Sequence, residues 1–462
     1  MRTKHDYRQL YDASATPDEQ RAALTSGQVP VAVYGLGKMG LPLATVYAHT
    51  TEHVVGVDTD RFVVRTVNRG ESHVAGEPGL RSAVEEAVTA EWLRATTDAA
   101  DAADEASVHV VIVPTLVDED DDPDLSVVTD VARSIADGLD PGDLVIAEST
   151  LPPRTCEDVL LPLLERESGL SRDEFGLAFC PERTSSGQAL EDIRGSYPKV
   201  VGGVDDESTR AAALVYGEIT TNDVITVSDA TTAESVKVFE GVYRDVNIAL
   251  ANELGRHASE LGIDVVEAIS VANTQPYCDI HTPGAGVGGH CIPYYPHFLI
   301  DQFDEETALL ETARSVNEAM PSYTAELALD ALAEQGVDPA DASVLVLGLT
   351  YRPGVAEIRA TPALPVVQRL DAAGADVVAF DPILEDHDVF EAAGAEVRSY
   401  VGYRDDQFDA VVLVTPQEHF ERLDVPALGP DDRPLVVVDG RQALTHLRRD
   451  DTVLYRGVGL DD

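Results

Sequence analysis

Basic residues are scarce in this sequence. Its 462 residues include 83 aspartates and glutamates but only 33 lysines and arginines, a formal net charge of -50 at pH 7. Such a charge repels phosphate backbones and anionic lipids, so nucleic acids and membranes are not expected as partners. The acidic residues are spread along the chain, with one dense cluster at residues 118–122. This spread predicts a halophilic protein whose self-repulsion is screened by high salt.

Long apolar runs are also missing. The best candidate, residues 108–117, contains Pro114 and is far shorter than the roughly 20 residues that a membrane-spanning helix needs. Residues 1–27 are polar and charged and contain no secretory hydrophobic segment. We therefore expect a soluble, cytoplasmic protein.

Cysteine is rare, with four in the chain: Cys156, Cys180, Cys278 and Cys291. Four cysteines at these spacings do not form a disulfide framework and do not suggest a zinc site, so no metal is expected. Cys180 is expected to pack in the core. Cys291 ends a loop that holds four glycines at residues 284–289, where a missing Cβ lets the backbone approach a ligand. This setting favours a nucleophilic thiol over the alternative, a buried cysteine in a tight turn.

Apolar strands and helical segments alternate along the chain, which is typical of doubly wound α/β folds with parallel sheets. A first set of strands is predicted at residues 30–34, 53–57, 108–113, 143–147 and 175–179. A second set is predicted at residues 343–348, 377–381, 411–414 and 435–438. Between them, helical spacing of apolar residues predicts a helix over residues 231–261, about 45 Å long at 1.5 Å per residue.

The predicted organisation follows from these patterns. Residues 1–27 form a helical appendage, and residues 28–228 form a Rossmann-like dinucleotide-binding domain. Residues 229–325 form a central helical domain with the cysteine loop, and residues 326–462 form a second Rossmann-like domain. The long central helix argues against a monomer.

A dinucleotide-binding turn is predicted between the first strand and its helix. Gly35 permits a tight turn, Gly37 lets a pyrophosphate approach the backbone, and Gly40 allows close helix packing. Asp58 ends the next strand, where its carboxylate would accept from ribose hydroxyls and repel a 2′-phosphate, which favours NAD over NADP. The alternative for Asp58 is an ordinary turn residue at the end of a strand.

Two further polar groups have the positions of site residues. Glu182 and Arg183 follow a predicted strand, at the edge where ligands collect in doubly wound folds. Lys237 lies beside apolar residues of the long helix, and the alternative for it is an ordinary solvated lysine.

Taken together, these segments resemble the UDP-glucose/GDP-mannose dehydrogenase family over residues 31–439. The resemblance rests on the following ordered motifs: residues 35–40, 113–115, 148–152, 180–183, 232–237, 245–253, 283–293 and 348–353. Pro-Glu-Arg followed by Gly187 resembles the branch that acts on UDP-N-acetyl-D-mannosamine, with UDP-glucose as the second choice.

The resemblance implies oxidation of the sugar's C6 alcohol to a carboxylate with two NAD⁺. Cys291 would form a thiohemiacetal and then a thioester, Lys237 would stabilise the oxyanion, and Glu182 would activate a water positioned by Thr150. The implied cofactor contacts are Gly35, Gly37, Lys38, Met39, Gly40, Asp58, Arg61, Thr115, Thr150 and Arg359. The implied substrate contacts are Glu182, Arg183, Lys237, Gly286, Gly288, Gly289 and Arg352.

Two positions depart from the family pattern. Gly241 replaces the usual asparagine four residues after Lys237, and Tyr295 replaces the usual aspartate four residues after Cys291. Both residues normally support the oxyanion or the hydrolytic step. A non-catalytic sugar-nucleotide sensor therefore stays as an alternative, and a simple hydroxyacid dehydrogenase, which would share the first domain, is another. The long helix predicts a homodimer or a higher homo-oligomer, and the family resemblance implies a role in polysaccharide biosynthesis.

Overall fold

The computed structural model describes residues 9–12, 14–117, 122–184, 187–303, 306–401 and 407–461. Backbone contacts separate two compact units. The first comprises the chain up to residue 240 together with residues 297–302, and the second comprises residues 241–296 and the chain from residue 303 onward. Of the acidic cluster at residues 118–122, all but Asp122 lies outside the described residues, as do residues 1–8 of the predicted appendage.

The first unit is built on a sheet of eight described strands in the order β10-β9-β8-β7-β4-β1-β2-β3. The strands of this unit, including a separate antiparallel pair formed by β5 and β6, are β1 (Val31–Tyr34), β2 (Val54–Val57), β3 (Leu93–Thr96), β4 (Val108–Val111), β5 (Leu116–Val117), β6 (Pro123–Asp124), β7 (Leu144–Ala147), β8 (Gly176–Phe179), β9 (Lys199–Gly203) and β10 (Val224–Thr226). Strands β1, β2, β4, β7 and β8 are buried along their whole length, as parallel strands covered on both faces must be.

The first sheet departs from the predicted parallel arrangement at one place. Strand β9 runs antiparallel to β8, while its other neighbour β10 is parallel to it. The described part of the connection from β8 to β9 includes a short helical segment at residues 189–196.

The second unit is built on a six-stranded sheet in the order β13-β12-β11-β14-β15-β16, parallel throughout. Its strands are β11 (Ser343–Leu347), β12 (Asp376–Phe380), β13 (Glu396–Val397), β14 (Ala410–Leu413), β15 (Leu435–Asp439) and β16 (Val453–Gly457). Two Rossmann-like sheets in one chain confirm the predicted fold class.

Helices of both units pack on the faces of the two sheets, and α10 to α12 also share a separate small core. In chain order they are α1 (Pro17–Leu24), α2 (Gly40–Thr51), α3 (Arg61–Asn68), α4 (Leu80–Thr89), α5 (Ala99–Glu105), α6 (Ser126–Ala136), α7 (Leu161–Ser168), α8 (Ala189–Glu191), α9 (Asp206–Ile219), α10 (Ala230–Arg256), α11 (Ala258–Leu261), α12 (Val265–Ala272), α13 (His297–Ile300), α14 (Ala308–Glu334), α15 (Ala363–Ala372) and α16 (Asp388–Ala392). Single π-helical turns cover Cys156–Leu160 and Asp192–Ser196, and 3₁₀ turns cover Pro339–Asp341, Glu418–Arg422, Val425–Leu428 and Thr445–Arg449. In the first unit, α2, α4 and α9 share one core with the sheet, and α5, α6 and α7 share the other.

The N-terminal segment packs into the first unit. Helix α1 starts with a capping box formed by Thr16 and Glu19, and Leu10 and Leu24 are fully buried in the core shared with α2 and α9. The Arg210 guanidinium donates to the Leu10 carbonyl at 2.7 Å. Leu10, Ala23 and Leu24 of the N-terminal segment are therefore part of this core.

Helix α10 is one continuous helix of 27 residues, about 40 Å long at 1.5 Å per residue. The predicted helix over residues 231–261 is confirmed as far as Arg256. It ends there because the His257 amide bonds to the Leu254 carbonyl three residues back, at 3.1 Å, and α11 follows as a separate turn. The apolar face that helical spacing predicted is not buried throughout, since Phe239, Tyr243 and Leu250 are 57%, 52% and 47% exposed.

The same kind of turn follows β1 in the first sheet and β11 in the second. Gly35 follows β1 and Gly348 follows β11, each with a positive φ, of 97° and 83°. The carboxylate of Asp58 accepts from the Leu36 amide at 2.9 Å, and the carboxylate of Asp381 accepts from the equivalent Leu349 amide at 2.8 Å. The sequence similarity between the two halves therefore reflects the same local geometry.

Gly348→Ala should destabilise the second unit by more than a positive φ alone explains. A Cβ there would overlap the backbone carbonyl oxygen of Thr415, whereas Gly354 has a similar φ of 73° with open space around the missing Cβ. We expect Gly354→Ala to cost about 1–2 kcal/mol and Gly348→Ala to cost about 1–3 kcal/mol more. Urea unfolding followed by circular dichroism measures both, because the single tryptophan, Trp92, lies in the first unit. Equal costs would contradict the packing argument.

Candidate active site

The turn after β1 is shaped by two glycines that pack against backbone and one that does not. A Cβ at Gly35 would overlap the Ile112 carbonyl oxygen, and a Cβ at Gly40 would overlap Gly35 itself. A Cβ at Gly37 would meet no atom within 4 Å. Gly35 and Gly40 are thus required by packing, and Gly37 leaves open space where a ligand can approach the backbone.

The start of α2 provides amide groups that no side chain caps. Met39 occupies the cap position without a side-chain acceptor, and the Met39 sulfur accepts from the Thr184 hydroxyl at 3.0 Å. Uncapped N–H groups and the helix dipole together favour a phosphate at this point. Lys38 is exposed in the same turn.

The residues around this turn fit NAD. The half-buried Asp58 keeps its second oxygen on the Asp60 amide at 2.9 Å, and exposed Arg61 opens α3 beside it. The hydroxyl of Thr115 is buried and has no hydrogen-bond partner among the described residues. A buried hydroxyl without a partner costs free energy that a bound polar ligand removes. Gly37, Asp58 and Thr115 would hold the cofactor at the carboxyl ends of the strands.

Lys237 and Glu182 form a pair at the same end of the sheet. The Lys237 ammonium donates to the Glu182 carbonyl and lies 4.0 Å from the Glu182 carboxylate. The two side chains are only 12% and 17% exposed. Lys237 is therefore not the solvated lysine of the alternative interpretation. Thr150 follows β7, the strand next to β8, at the edge where Glu182 also lies.

Arg183 makes structural contacts in the described residues. Its guanidinium pairs with Glu240 of α10 at 2.7 Å and donates to the Pro198 carbonyl at 3.2 Å. It also lies over the Tyr197 ring. Its predicted contact with substrate stays a prediction.

Sequence reasoning missed Glu234, which anchors the loop that carries Thr150. One carboxylate oxygen accepts from the Cys156 amide at 2.7 Å and the other accepts from the Arg154 amide at 2.6 Å. Glu234 is fully buried, and this burial raises its pKa to about 7. Its position three residues before Lys237, on the same side of a helix, was the signal that could have identified it.

In the second unit, Cys291 is the exposed cysteine among the four. Cys156 and Cys180 are fully buried, and burial raises the pKa of both thiols, that of Cys180 to about 12. Cys180 packs in the core, as expected. Because thiolates react and buried neutral thiols do not, Cys291 is the cysteine suited to chemistry.

The glycines of the cysteine loop face the protein itself. A Cβ at Gly288 would lie 2.7 Å from the Ala360 carbonyl oxygen, and one at Gly289 would lie 2.9 Å from the Tyr351 ring. The Gly289 amide donates to the Arg359 carbonyl at 2.9 Å. The predicted reason for these glycines, approach to a ligand, is thus incomplete: they let the loop lie directly on residues 351–360 of the second fold.

The other end of the loop is held by residues that follow β15. The Ala285 amide donates to the Gly440 carbonyl at 3.0 Å, and the Arg441 guanidinium donates to the Gly286 carbonyl at 2.7 Å. A Cβ at Gly284 would overlap that guanidinium. Arg441 was missed by the sequence analysis, although its place at the carboxyl end of a buried strand could have indicated it.

A buried polar network ties this loop to two helices. The Gly284 amide donates to Asn252 of α10 at 2.9 Å, and Asn252 donates to Asn317 of α14 at 2.9 Å. Asn317 in turn donates to Asp245 at 2.8 Å, and Arg314 donates to the same carboxylate at 2.6 Å. Both bonds to Asp245 use the same oxygen, and its other oxygen is buried without a hydrogen-bond partner among the described residues. The charge of Asp245 is nevertheless paired with that of Arg314, so the network orders the loop without leaving an unpaired charge.

The predicted arginines of the second fold lie on the segment that contacts the cysteine loop. Arg359 contributes its carbonyl to Gly289 and has a partly exposed side chain, while the side chain of Arg352 is exposed. Their contacts with cofactor and substrate stay predictions. Unlike Asp58, Asp381 is fully engaged, since Gln417 also donates to it at 3.0 Å.

The described residues hold neither a metal-binding cluster nor a membrane-spanning helix. No cluster of three or more histidine, cysteine, aspartate or glutamate side chains there is arranged to hold a metal ion. No helix in those parts of the chain is both long enough and apolar enough to cross a bilayer.

A dinucleotide turn after β1, in a chain that also has a second nucleotide fold, defines the class of doubly wound NAD-dependent oxidoreductases. The chain belongs to the UDP-glucose/GDP-mannose dehydrogenase family. Residues 29–220 match the family's NAD-binding domain, residues 231–319 its central domain and residues 345–446 its UDP-binding domain. The protein is thus an NAD-dependent sugar-nucleotide dehydrogenase.

Named relatives agree with this assignment. The chain is 35% identical over 438 residues to a UDP-N-acetyl-D-mannosamine dehydrogenase of Pyrococcus horikoshii, covering 94% of this chain and 99% of that protein. It is 35% identical to an NDP-N-acetyl-D-galactosaminuronic acid dehydrogenase of Ralstonia solanacearum, covering 89% and 95%. The solved structure of a P. horikoshii UDP-N-acetyl-D-mannosamine dehydrogenase superposes with a TM-score of 0.84 at 33% identity, covering 93% of this chain and 99% of that one.

Gly37→Val should weaken NAD binding without destabilising the fold, because the new side chain would fill only the open space at the turn. We expect the dissociation constant for NAD⁺, measured by calorimetry, to rise at least about tenfold, or about 1.4 kcal/mol. Gly217→Val is the matched control, since the missing Cβ of Gly217 also faces open space but lies on α9. Unchanged NAD affinity in Gly37→Val would contradict the assigned binding mode.

Glu234→Gln should become more stable relative to the wild type as pH rises. The pKa of about 7 exceeds the ordinary value of 4.5, so the folded state holds a proton that the unfolded state has lost between these values. The wild type therefore loses stability as pH rises through this window, by up to about 3 kcal/mol, and the glutamine does not. Urea unfolding followed by Trp92 fluorescence at pH 5 and pH 8 measures the difference. Exposed Glu421→Gln is the control, and a stability difference between Glu234→Gln and wild type that is independent of pH would contradict the raised pKa.

Proposed function

We propose that this enzyme oxidises the C6 alcohol of UDP-N-acetyl-D-mannosamine to the carboxylate in two steps at Cys291. The balanced reaction consumes one alcohol, two NAD⁺ and one water, and it yields one carboxylate, two NADH and three protons. NAD⁺, when bound at the turn after β1, accepts the hydride in each oxidation. The observation that carries the proposal is the exposed Cys291 thiol on a loop held by a second nucleotide fold.

The proposed role of Cys291 follows from the chemistry of the second oxidation, which starts from an aldehyde. An aldehyde gives up hydride poorly until a nucleophile makes its carbon tetrahedral. The Cys291 thiolate would add to the aldehyde carbon to form a thiohemiacetal, and loss of hydride from that carbon would leave a thioester. Water would then attack the thioester carbon, release the carboxylate and return the thiolate.

Lys237 and Glu182 are assigned to charge and proton handling in these steps. The Lys237 ammonium, which is 12% exposed, would stabilise the oxyanion with little competition from water. The Glu182 carboxylate, 4.0 Å from that ammonium, would take the proton of the attacking water. Thr150, at the end of the adjacent strand, would position that water. The Lys237–Glu182 pair supports these roles.

The choice of sugar rests on the branch resemblance and the relatives. Pro-Glu-Arg at residues 181–183 and Gly187 support a UDP-N-acetylhexosamine, and UDP-N-acetyl-D-mannosamine is the first candidate. UDP-glucose is the second. The expected downstream use of the product is polysaccharide synthesis.

We further propose that the protein forms a homo-oligomer and works in a high-salt cytoplasm. Exposed Tyr243 and Leu250, seven residues apart on α10, form an apolar stripe that a second copy of the chain would cover. The net charge of -50 supports adaptation to salt, so assays belong in concentrated KCl.

The yield of NADH per UDP-N-acetyl-D-mannosamine consumed tests the reaction. We expect two NADH per sugar in the wild type and a turnover lowered at least about 1,000-fold in Cys291→Ser. Cys278→Ser, at a half-buried thiol, is the control and should retain activity. One NADH per sugar would point to a simple alcohol dehydrogenase. No NADH despite measurable binding of NAD⁺ and the UDP-sugar would replace the enzyme with a sugar-nucleotide sensor.

A further inference from the structure

Tyr295 is linked to the nucleophile through one turn of backbone. The Tyr295 amide donates to the Cys291 carbonyl at 3.0 Å, and the Tyr294 amide donates to the same carbonyl at 3.1 Å. Residues 291–295 therefore form a single hydrogen-bonded turn, with Cys291 at its start and Tyr295 at its end. Whatever holds the Tyr295 side chain also holds this turn.

The Tyr295 side chain lies on the bare backbone of Gly241 in α10. A Cβ at residue 241 would overlap the ring at Cδ2 and lie 3.0 Å from both Cβ and Cγ of Tyr295. Real Cβ atoms do not come so close to other heavy atoms, so the ring requires glycine at this position. Tyr295 is 6% exposed, which means that the ring is packed inside the protein rather than free to turn away.

The two departures from the family pattern, Gly241 and Tyr295, are therefore a single compensating change. An asparagine at residue 241 cannot coexist with this ring, because even its Cβ would overlap it. Loss of the side chain at residue 241 and gain of the ring at residue 295 compensate each other in volume. Such paired changes preserve packing, whereas independent decay of a site would leave a cavity or a clash.

We propose that Tyr295 is a positioning residue. Its ring packs on the backbone of Gly241 and thereby holds the turn that starts at Cys291 against helix α10. The proposal rests on the function proposed above for Cys291. It assigns the effect to the ring and its fit, not to the hydroxyl. It also gives the two departures from the family pattern, Gly241 and Tyr295, one shared role in packing.

A double-mutant cycle tests the fit. Tyr295→Ala removes the ring, Gly241→Ala pushes against it, and the combined variant places the new methyl group in the space that the ring has left. We expect each single variant to lower kcat at least tenfold with KM for the UDP-sugar changed less than threefold. The double variant should lose less than the product of the two single losses, because the groups are in contact. Tyr295→Phe, which keeps the ring, should stay within threefold of wild type.

A second measurement follows the thiol itself and needs no sugar turnover. The rate of Cys291 alkylation by iodoacetamide, read by mass spectrometry on the NAD-loaded protein, should change at least threefold in Tyr295→Ala and Gly241→Ala, and not in Tyr295→Phe. Tyr277→Ala, at a side chain that is 93% exposed in the same unit, is the control. Circular dichroism confirms that each variant used is folded. If an alanine variant does not fold, an alkylation rate in Tyr295→Phe that differs from wild type still overturns the ring-based role.

The outcomes separate this proposal from the one it rests on. Multiplicative losses in the double variant would show that the pair does not act as a unit. Equal losses in Tyr295→Phe and Tyr295→Ala would assign the effect to the hydroxyl and overturn the ring-based role. If the wild type oxidises no UDP-sugar, the proposed function fails, while the alkylation rates still report whether the ring controls the thiol.

Discussion

The site in the second unit depends on a stretch of backbone that is held almost without side chains of its own. Residues 284–289 contribute amides and carbonyls, and their partners are Asn252, Gly440, Arg441 and Arg359. Where a side chain would extend from the glycines of this stretch, the protein already has Tyr351, Ala360, Pro362 or Arg441. A loop fixed in this way would lose little further conformational freedom in the proposed reaction, which is the advantage of a preorganised site.

The two nucleotide folds contain the same kind of turn, but its surroundings differ. In the first fold, Asp58 and the open space at Gly37 leave room for a dinucleotide. In the second fold, the carboxylate of Asp381 is occupied by Leu349, Thr350 and Gln417, and the neighbouring segments support the cysteine loop. A similar sequence pattern thus yields a cofactor site in one sheet and a mechanical support in the other.

The parts of the fold that the sequence predicted are those governed by burial on both faces. Strands β1, β4 and β7 begin or end within two residues of their predicted limits, since continuous apolar runs bounded by turns have few other uses in a chain of this kind. The cofactor turn and Cys291 were likewise identifiable, because glycine spacing and a rare residue carry strong local signals. The proposed domain limits at residues 28, 229 and 326 stay predictions.

Contacts between residues far apart in the sequence had no such local signal. Nothing in the local pattern showed that Glu234 would satisfy two amides some 80 residues away, or that Arg441 would reach a glycine carbonyl. The antiparallel strand β9 was missed for a similar reason, since strand direction depends on the path of the connection rather than on the strand's own residues. In the sequence, the contact between Gly241 and Tyr295 was visible only as two separate departures from the family pattern.

Helix α10 shows why apolar spacing alone misjudges a helix that orders loops. Glu234, Asp245 and Asn252 are fully buried on it, while several of its large apolar side chains are exposed. Each buried polar group is one half of a hydrogen bond to a backbone amide or a charged partner from another segment. Replacing one of them by an apolar residue would leave its partner buried and unsatisfied, a cost that apolar packing does not recover. The polar side chains of α10 are therefore buried where they hold loops, while Phe239, Tyr243 and Leu250 are exposed.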